Sequence, residues 1–239
     1  MPDYSLRDPD VFAFIAIPMA LVAAFAWGIA AASRRAGEPA AVATRATVVV
    51  LGAAAWMAAA WVAADSGVLR RWDATPPPFA LLVIAVIAMA CLIVLSRYGR
   101  LLAVGVPLWA LIAIQTFRLP LELAMHGLYE RGIMPEQMTY TGLNVDIVTG
   151  ATAPIVAAVL LTGRGRCLAV IWNALGLALL VNVVTIAILS TPRFQYFGPD
   201  RLNVFVTYPP FVWLPTVMVV AALAGHFVIL RALLLTRRG

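Results

Sequence analysis

Residues 78–96 read PFALLVIAVIAMACLIVLS, a run without a single charged side chain. A helix that crosses the hydrocarbon core of a bilayer needs about 20 such residues, so this run predicts a transmembrane helix. The composition extends this prediction to the whole chain, because 63% of its 239 residues are hydrophobic and only 12% are charged. A soluble domain usually carries about 25% charged residues. The chain is therefore predicted to be an integral membrane protein.

Six further apolar runs have similar lengths, and together the seven runs predict an all-α bundle of seven transmembrane helices. The predicted spans are residues 11–32, 45–64, 78–96, 101–127, 145–162, 167–190 and 209–231. The ten residues ahead of the first span hold three Asp and one Arg. A secretory signal peptide begins with positive charge, so we expect the first span to be retained. Residues 1–239 are expected to form a single transmembrane domain.

The charges between the spans predict the orientation. The N-terminus and the second, fourth and sixth loops hold seven Arg and ten of the eleven acidic residues. The other loops and the C-terminus hold ten Arg and one acidic residue. Arg in short loops marks the cytoplasmic side. We therefore predict an N-terminus outside, a cytoplasmic C-terminus and a location in the inner (plasma) membrane.

The basic residues also narrow the possible partners. The pI is near 10.0, but the Arg residues are scattered over short loops, which favours a topology signal over a nucleic-acid patch. The predicted surroundings are the lipid bilayer, and no nucleic-acid partner is expected. All 17 basic residues are Arg, so no Lys can form a Schiff base with retinal or another carbonyl ligand.

Ionisable side chains crowd the edge of an apolar segment in residues 115–149, QTFRLPLELAMHGLYERGIMPEQMTYTGLNVDIVT. Four residues, Arg118, Glu122, His126 and Glu130, follow one another at steps of four, so on a helix they form one stripe. If the fourth span enters at Leu101 on the inner side, Arg118 lies roughly 26 Å and His126 roughly 38 Å up the helix. The stripe is therefore expected at the outer side of the membrane.

Neighbouring segments are expected to complete an outward-facing polar site. Asp146 falls in the first turn of the fifth span, at the positive end of the helix dipole, with Asn144 as a cap. Asn182 of the sixth span would line the floor, and Pro120 should kink the fourth span where the charges begin. In this site Arg118 would clamp an anion bidentately. The predicted ligand-binding residues are Arg118, Glu122, His126, Asn144, Asp146 and Asn182.

Three functions fit this pattern. The leading one is binding, sensing or transport of a small polar or anionic solute, because ionisable groups at membrane depth usually face a cavity or a partner. The second is a membrane enzyme that uses Glu122, His126 and Asp146 in acid–base or metal-assisted chemistry. The third is a structural subunit of a larger membrane complex, with the charges purely architectural. A sensor would need a membrane protein partner, because only TRRG follows Leu235.

No cofactor or metal is predicted. His126 and His226 are the only His residues, and helical rise separates them by more than about 20 Å, too far for one haem to bind both. We expect His226 to be a buried hydrogen-bonding residue. Glu122, His126 and Asp146 could hold a metal, but this spacing alone is weak support and no second His lies on the same side.

Residues 117–132 (FRLPLELAMHGLYERG) and 138–150 (MTYTGLNVDIVTG) resemble a group of bacterial seven-helix membrane proteins that have no assigned activity. The runs 173–192 (NALGLALLVNVVTIAILSTP) and 208–216 (YPPFVWLPT) are similar to the same group. The resemblance covers the second half of the chain and transfers no function. Microbial rhodopsins need a Lys in the last helix, and ceramidase-like membrane hydrolases need three His with Asp and Ser. A chain with no Lys and two His matches neither pattern.

Overall fold

The computed structural model describes residues 4–235, which form helices and connecting loops with no β-strand in that range. The α-helices are α1 Pro9–Arg35, α2 Val42–Asp65, α3 Pro78–Leu95, α4 Arg97–Gly105, α5 Leu108–Ala113, α6 Arg118–Glu130, α7 Ile147–Leu161, α8 Arg166–Leu189 and α9 Val220–Leu235. Asp3, Arg237 and Arg238, which contribute to the predicted orientation, and the TRRG tail lie outside the described residues.

Six helical segments are long and apolar enough to cross a membrane. They are Pro9–Arg35, Pro39–Asp65, Pro78–Leu95, Leu108–Glu130, Arg166–Leu189 and Leu214–Leu235. Large apolar side chains such as Ile84 and Leu92 of α3 point away from the protein interior. A bilayer is the solvent in which such a surface is stable. The predictions of an all-α protein and of a multi-pass membrane protein are therefore confirmed.

The predicted fifth span is shorter than the others. Helix α7 is apolar but has only 15 residues, a length of roughly 22 Å against a hydrocarbon core of about 30 Å. It packs against α5, α6 and α8. The count of seven crossings therefore remains a prediction.

The predicted span 101–127 begins at the wrong residue. Its first residues belong to α4, a separate helix of nine residues that is too short to cross a membrane. Ser96 caps α4, because its Oγ accepts hydrogen bonds from two backbone N–H groups of the first turn. Pro107 precedes α5 and has no N–H with which to continue α4. The chain therefore breaks between α4 and the crossing helix.

The corrected start changes the depth of Arg118. The crossing helix begins at Leu108, so Arg118 lies roughly 15 Å along it instead of 26 Å, near the middle of a bilayer core about 30 Å thick. The segment Ile114–Phe117 is a 3-10 helix that joins α5 to α6. It lies just ahead of Pro120, where the sequence predicted a kink, and the helix geometry does change there.

Contacts between loops define the two ends of the bundle. The hydroxyl of Tyr4 donates to the carbonyl of Pro209 at 2.5 Å, and Arg131 pairs with Asp8 at 2.8 Å. The chain start, the loop after α6 and the loop before the last helix therefore meet at one end, which we call the N-terminal end. At the opposite end, the last turn of α1 is hydrogen-bonded to the last turn of α4.

The interior has two apolar layers. The layer toward the N-terminal end includes Phe14 and Met125, and the layer toward the opposite end includes Ile112 and Ile229. The last helix, which begins with the π-helical segment Leu214–Val219, is the most enclosed of the six long helical segments. Buried polar side chains, among them Arg118 and Asp146, lie between the two layers.

Candidate functional site

Arg118 is buried, with 1% of its surface exposed, and is paired with Asp146. Its Nε donates to Oδ2 of Asp146 at 2.5 Å, and its Nη2 donates to Oδ1. This two-bond arrangement is the geometry with which a guanidinium binds an external carboxylate or phosphate. Asp146 therefore occupies the edge of Arg118 that the sequence assigned to a bound anion. The ion-pair partner of Arg118 is thus Asp146 of another segment, although Glu122 is its neighbour on the predicted stripe.

His226 is fully buried and contacts the same guanidinium. Its Nε2 lies 2.8 Å from Nη1 of Arg118, and its Nδ1 lies 2.9 Å from Oδ1 of Asn173. A guanidinium nitrogen can only donate, so Nε2 must accept and Nδ1 must carry the proton that is donated to Asn173. His226 is therefore a neutral imidazole with an Nδ1–H. The prediction that it is a buried hydrogen-bonding residue is confirmed.

Asn144 connects Glu122 to Asp146. Its Nδ2 donates to both carboxyl oxygens of Glu122 at 3.0 and 2.8 Å and to the carbonyl of Met138 at 3.0 Å. Its Oδ1 accepts from the N–H of Asp146 at 3.0 Å. Asp146 is itself the N-cap residue of α7, and its Oδ1 accepts from the Thr149 hydroxyl at 3.3 Å. Asn144 is therefore not the N-cap residue itself, but its side-chain oxygen accepts an N–H at the start of α7, which is the capping contact that the sequence predicted.

Together these contacts form one chain of hydrogen bonds, which we call the polar network. Its members are Asn173, His226, Arg118, Asp146, Thr149, Asn144 and Glu122. Two glycines let the helices close around it. A Cβ on Gly150 would overlap the backbone at Arg118 and Leu119, and a Cβ on Gly176 would overlap the His226 ring. Small residues at these points allow α7 and α8 to approach the network.

His126 lies outside the polar network. Its ring packs beside Tyr140, with centroids 4.7 Å apart, and its Nε2 is 3.6 Å from a carboxyl oxygen of Glu130. Glu122, His126 and Asp146 therefore have separate partners and do not converge. Within residues 4–235, no group of three or more His, Cys, Asp or Glu side chains is placed to hold a metal ion.

The corrected helix start also changes the calculated difference in depth between the two histidines. His226 contacts Arg118, and His126 follows Arg118 by eight residues, a helical rise of roughly 12 Å. The predicted separation of more than about 20 Å was calculated from a span that began at Leu101, so with a start at Leu108 it no longer follows from helical rise. Both ring nitrogens of His226 are nevertheless engaged in hydrogen bonds with side chains.

Asn182 also lies outside the polar network. It is half-buried at the perimeter of α8 and donates to the carbonyl of Leu143 at 3.0 Å. This bond ties α8 to the loop that precedes α7. The prediction that Asn182 lines the floor of the polar site is therefore wrong.

Gln115 is a buried residue that the sequence prediction missed. None of its surface is exposed, and neither polar side-chain atom has a hydrogen-bond partner among the described residues. Its amide packs against Gly225, next to His226. Gln115 precedes Arg118 by one helical turn, and this spacing is the signal that could have assigned it to the predicted stripe.

A cavity of about 310 Å³ opens at the N-terminal end and shares no lining residue with the polar network. We call it the N-terminal pocket. It is lined by Tyr4, Leu6, Trp61, Ala64, Asp65, Arg70, Tyr208 and Pro209. None of these was predicted as a site residue, because they come from three distant parts of the chain and no short motif contains them.

Arg70 is the cation of the N-terminal pocket. Its Nη1 donates to the carbonyls of Ala64 and Thr207, both at 3.1 Å, and its guanidinium lies 4.2 Å from the centroid of the Tyr208 ring. No carboxylate of residues 4–235 forms an ion pair with Arg70. Its Nε and Nη2 donate no hydrogen bond to any residue in that range. The guanidinium is thus fixed in position, and the N–H groups of its Nε and Nη2 are available to donate hydrogen bonds.

Tyr4 and Asp65 complete the polar lining of the N-terminal pocket. Burial raises the pKa of Tyr4, so its hydroxyl stays neutral and donates to Pro209. Asp65 is the exposed last residue of α2 and brings a negative charge to the same cavity. The N-terminal pocket therefore presents both signs of charge beside aromatic surface.

Comparison with known proteins gives no relative: no protein-family model matches the chain, and no match is found among curated proteins or solved structures. The resemblance of the second half of the chain to bacterial seven-helix proteins stays a prediction.

Proposed function

We propose that this membrane protein binds a small polar solute with an anionic group in the N-terminal pocket. The proposal rests on the environment of the Arg70 guanidinium. Its guanidinium is held by two carbonyls and the Tyr208 ring, and it has no carboxylate partner in the described residues. A fixed cation with unused donors favours a carboxylate or phosphate. The cavity volume is at the lower end of the range found for small-molecule sites, about 300–1,000 Å³.

The solute-binding hypothesis from the sequence is thus kept, but its site moves from Arg118 to Arg70. Arg118 already holds an internal anion, since Asp146 takes two of its hydrogen bonds. We assign the polar network a structural role, in which it fixes α6, α7, α8 and α9 relative to one another. The enzyme alternative is not our proposal, because Glu122, His126 and Asp146 have separate partners.

The proposal includes seven crossings in the plasma membrane, with the N-terminus outside. The loop after α6 is tied to the N-terminal end by Arg131, whereas Arg166 at the start of α8 donates to the carbonyl of Leu233 near the end of α9. This pattern supports a crossing by the short helix α7, which local thinning of the bilayer can accommodate. The excess of Arg in the other loops supports a cytoplasmic location for the opposite end. The N-terminal pocket would then face outward.

Isothermal titration of the purified full-length protein tests the proposal. The probes are inorganic phosphate, acetate and phosphoethanolamine. Arg70→Gln should weaken the binding of at least one probe about tenfold or more, because a hydrogen bond to a charged group contributes about 1.5–3 kcal/mol.

Arg71→Gln is the matched control. Arg71 adjoins Arg70 but is exposed, and the change alters the net charge by the same amount. The affinity of Arg71→Gln for each probe should stay within about twofold of the wild-type value. Equal losses in the two variants would show a general charge effect, and the absence of binding by every probe would refute the proposed function.

A further inference from the structure

An apolar groove of about 500 Å³ adjoins the N-terminal pocket. We call it the α2 groove. Its lining is entirely apolar or aromatic and comes from α1, α2 and the segment before the last helix. Trp61 lines both the α2 groove and the N-terminal pocket. The polar cavity and the apolar groove therefore meet at this side chain.

The α2 groove follows one face of α2. Ala54, Ala58 and Trp61 lie on that face at helical spacing. The two Ala residues contribute only methyl groups, and both are exposed. The distance from Trp61 to Ala54 is roughly 10 Å along the helix axis. The groove thus runs from the pocket toward the middle of the membrane, in the direction that an acyl chain takes.

Two tryptophans mark the junction of the groove with the pocket. The rings of Trp61 and Trp213 have centroids 5.1 Å apart. Nε1 of Trp213 donates to the carbonyl of Met57 at 3.1 Å, whereas Nε1 of Trp61 has no hydrogen-bond partner within residues 4–235. Trp residues prefer the level of the lipid headgroups. A free indole N–H at this level is placed to donate to an ester or phosphate oxygen.

We infer that the N-terminal pocket and the α2 groove together bind one membrane phospholipid with an amine-bearing headgroup. Arg70 would receive the phosphate, Asp65 the ammonium group, and the α2 groove one acyl chain. The inference rests on the proposed function, because it names the solute of that same pocket. Charges of both signs at one end and an uncharged groove at the other match such an amphiphile, whereas a fully water-soluble solute would make no use of the groove.

Native mass spectrometry of the full-length protein tests this inference. The protein is equilibrated in mixed micelles that contain equal amounts of dioleoyl phosphatidylethanolamine and dioleoyl phosphatidylglycerol. The wild type should retain one phosphatidylethanolamine per chain, with occupancy about fivefold or more above that of phosphatidylglycerol, which lacks the ammonium group. Arg70→Gln should reduce this occupancy about fivefold or more.

Variants of α2 test the acyl-chain site. Ala58→Phe would fill the α2 groove and should reduce phosphatidylethanolamine occupancy about fivefold or more. Ala59→Phe is the matched control, because Ala59 is equally exposed but does not line the groove. Its occupancy should stay within about twofold of wild type. Ala54→Leu is the second groove variant and should also reduce occupancy if Ala58→Phe does not fold.

The outcomes separate the inference from the proposed function. Equal occupancy in Ala58→Phe and Ala59→Phe, equal retention of the two lipids, or a co-purified protein on this face would overturn the lipid inference. The proposed function would still stand if phosphoethanolamine binding depends on Arg70 and not on Arg71. Failure of the lipid and of all three soluble probes to bind would overturn both.

Discussion

Arg118 and Asp146 lie 28 residues apart in the sequence and form a two-bond ion pair inside the bundle. The pair joins α6 to the start of α7, and His226 of the last helix accepts a hydrogen bond from the same guanidinium. A buried charge with internal partners stabilises a fold only while its partners are present. Several predictions about stability depend on this arrangement.

Asp146→Asn should strongly destabilise the protein. The change leaves Arg118 buried without its ion-pair partner, which costs about 3–5 kcal/mol in unfolding free energy. Denaturant unfolding in detergent measures this cost. Replacing both partners, as in Arg118→Met with Asp146→Leu, should recover most of the loss, because neither member of the ion pair is then left buried without the other. A cost below about 1 kcal/mol for Asp146→Asn would contradict the paired geometry.

The ring of His226 should be a neutral imidazole protonated on Nδ1 at pH 7, because Nε2 must accept from Arg118. Nitrogen-15 NMR of labelled histidine distinguishes this tautomer. The chain has only two His, so His126→Gln leaves a single imidazole ring, whose two nitrogen signals can be assigned. An imidazolium, or a ring protonated on Nε2, would show that the contact with Arg118 is different.

Gly150→Ala should destabilise the protein by about 1–3 kcal/mol, the usual range for overpacking. The added Cβ would overlap the backbone at Arg118 and Leu119 and would force α7 away from α6. Gly52→Ala is the control, because a Cβ at this position of α2 meets no atom within 4 Å. That change should be neutral or slightly stabilising, since Ala favours a helix. Equal effects on the unfolding free energy would refute the close helix contact.

The ion pair between Asp8 and Arg131 should weaken at acidic pH. The backbone N–H of Ser5, followed by the Arg131 guanidinium, holds the pKa of Asp8 below its usual 3.8. A carboxyl with a lowered pKa stabilises the folded state above its unfolded pKa, and the contribution is lost as the pH falls through the folded value. The wild-type thermal midpoint should therefore exceed that of Arg131→Gln at pH 7, and the difference should shrink at pH 3. A constant difference would exclude this linkage.

Hydropathy predicted most of the helices because a bilayer requires long apolar segments. It failed at residues 101–127, where an amphipathic helix and a crossing helix follow each other without a polar loop. Arg97, Arg100 and Pro107 were the signals of that break. Because the start of the span was wrong, the depth of Arg118 was wrong as well.

The candidate site was predicted only in part. Helical periodicity predicts that Arg118 and Glu122 are neighbours on one helix. It does not predict which side chain of another helix lies closer to Arg118. Asp146 pairs with Arg118 because Gly150 lets α7 approach α6, and Gly176 of α8 leaves room for the ring of His226, which contacts the same guanidinium. No local sequence pattern contains these tertiary contacts. The N-terminal pocket was missed for the same reason.

The most direct test of the account compares the two arginines in one binding experiment. Phosphoethanolamine is titrated into wild type, Arg70→Gln, and the double variant Arg118→Met with Asp146→Leu, which removes the internal ion pair. The account predicts that the double variant keeps its affinity within about twofold, whereas Arg70→Gln loses about tenfold or more. Lost binding in the double variant, with unchanged binding in Arg70→Gln, would place the solute at Arg118 and contradict the account.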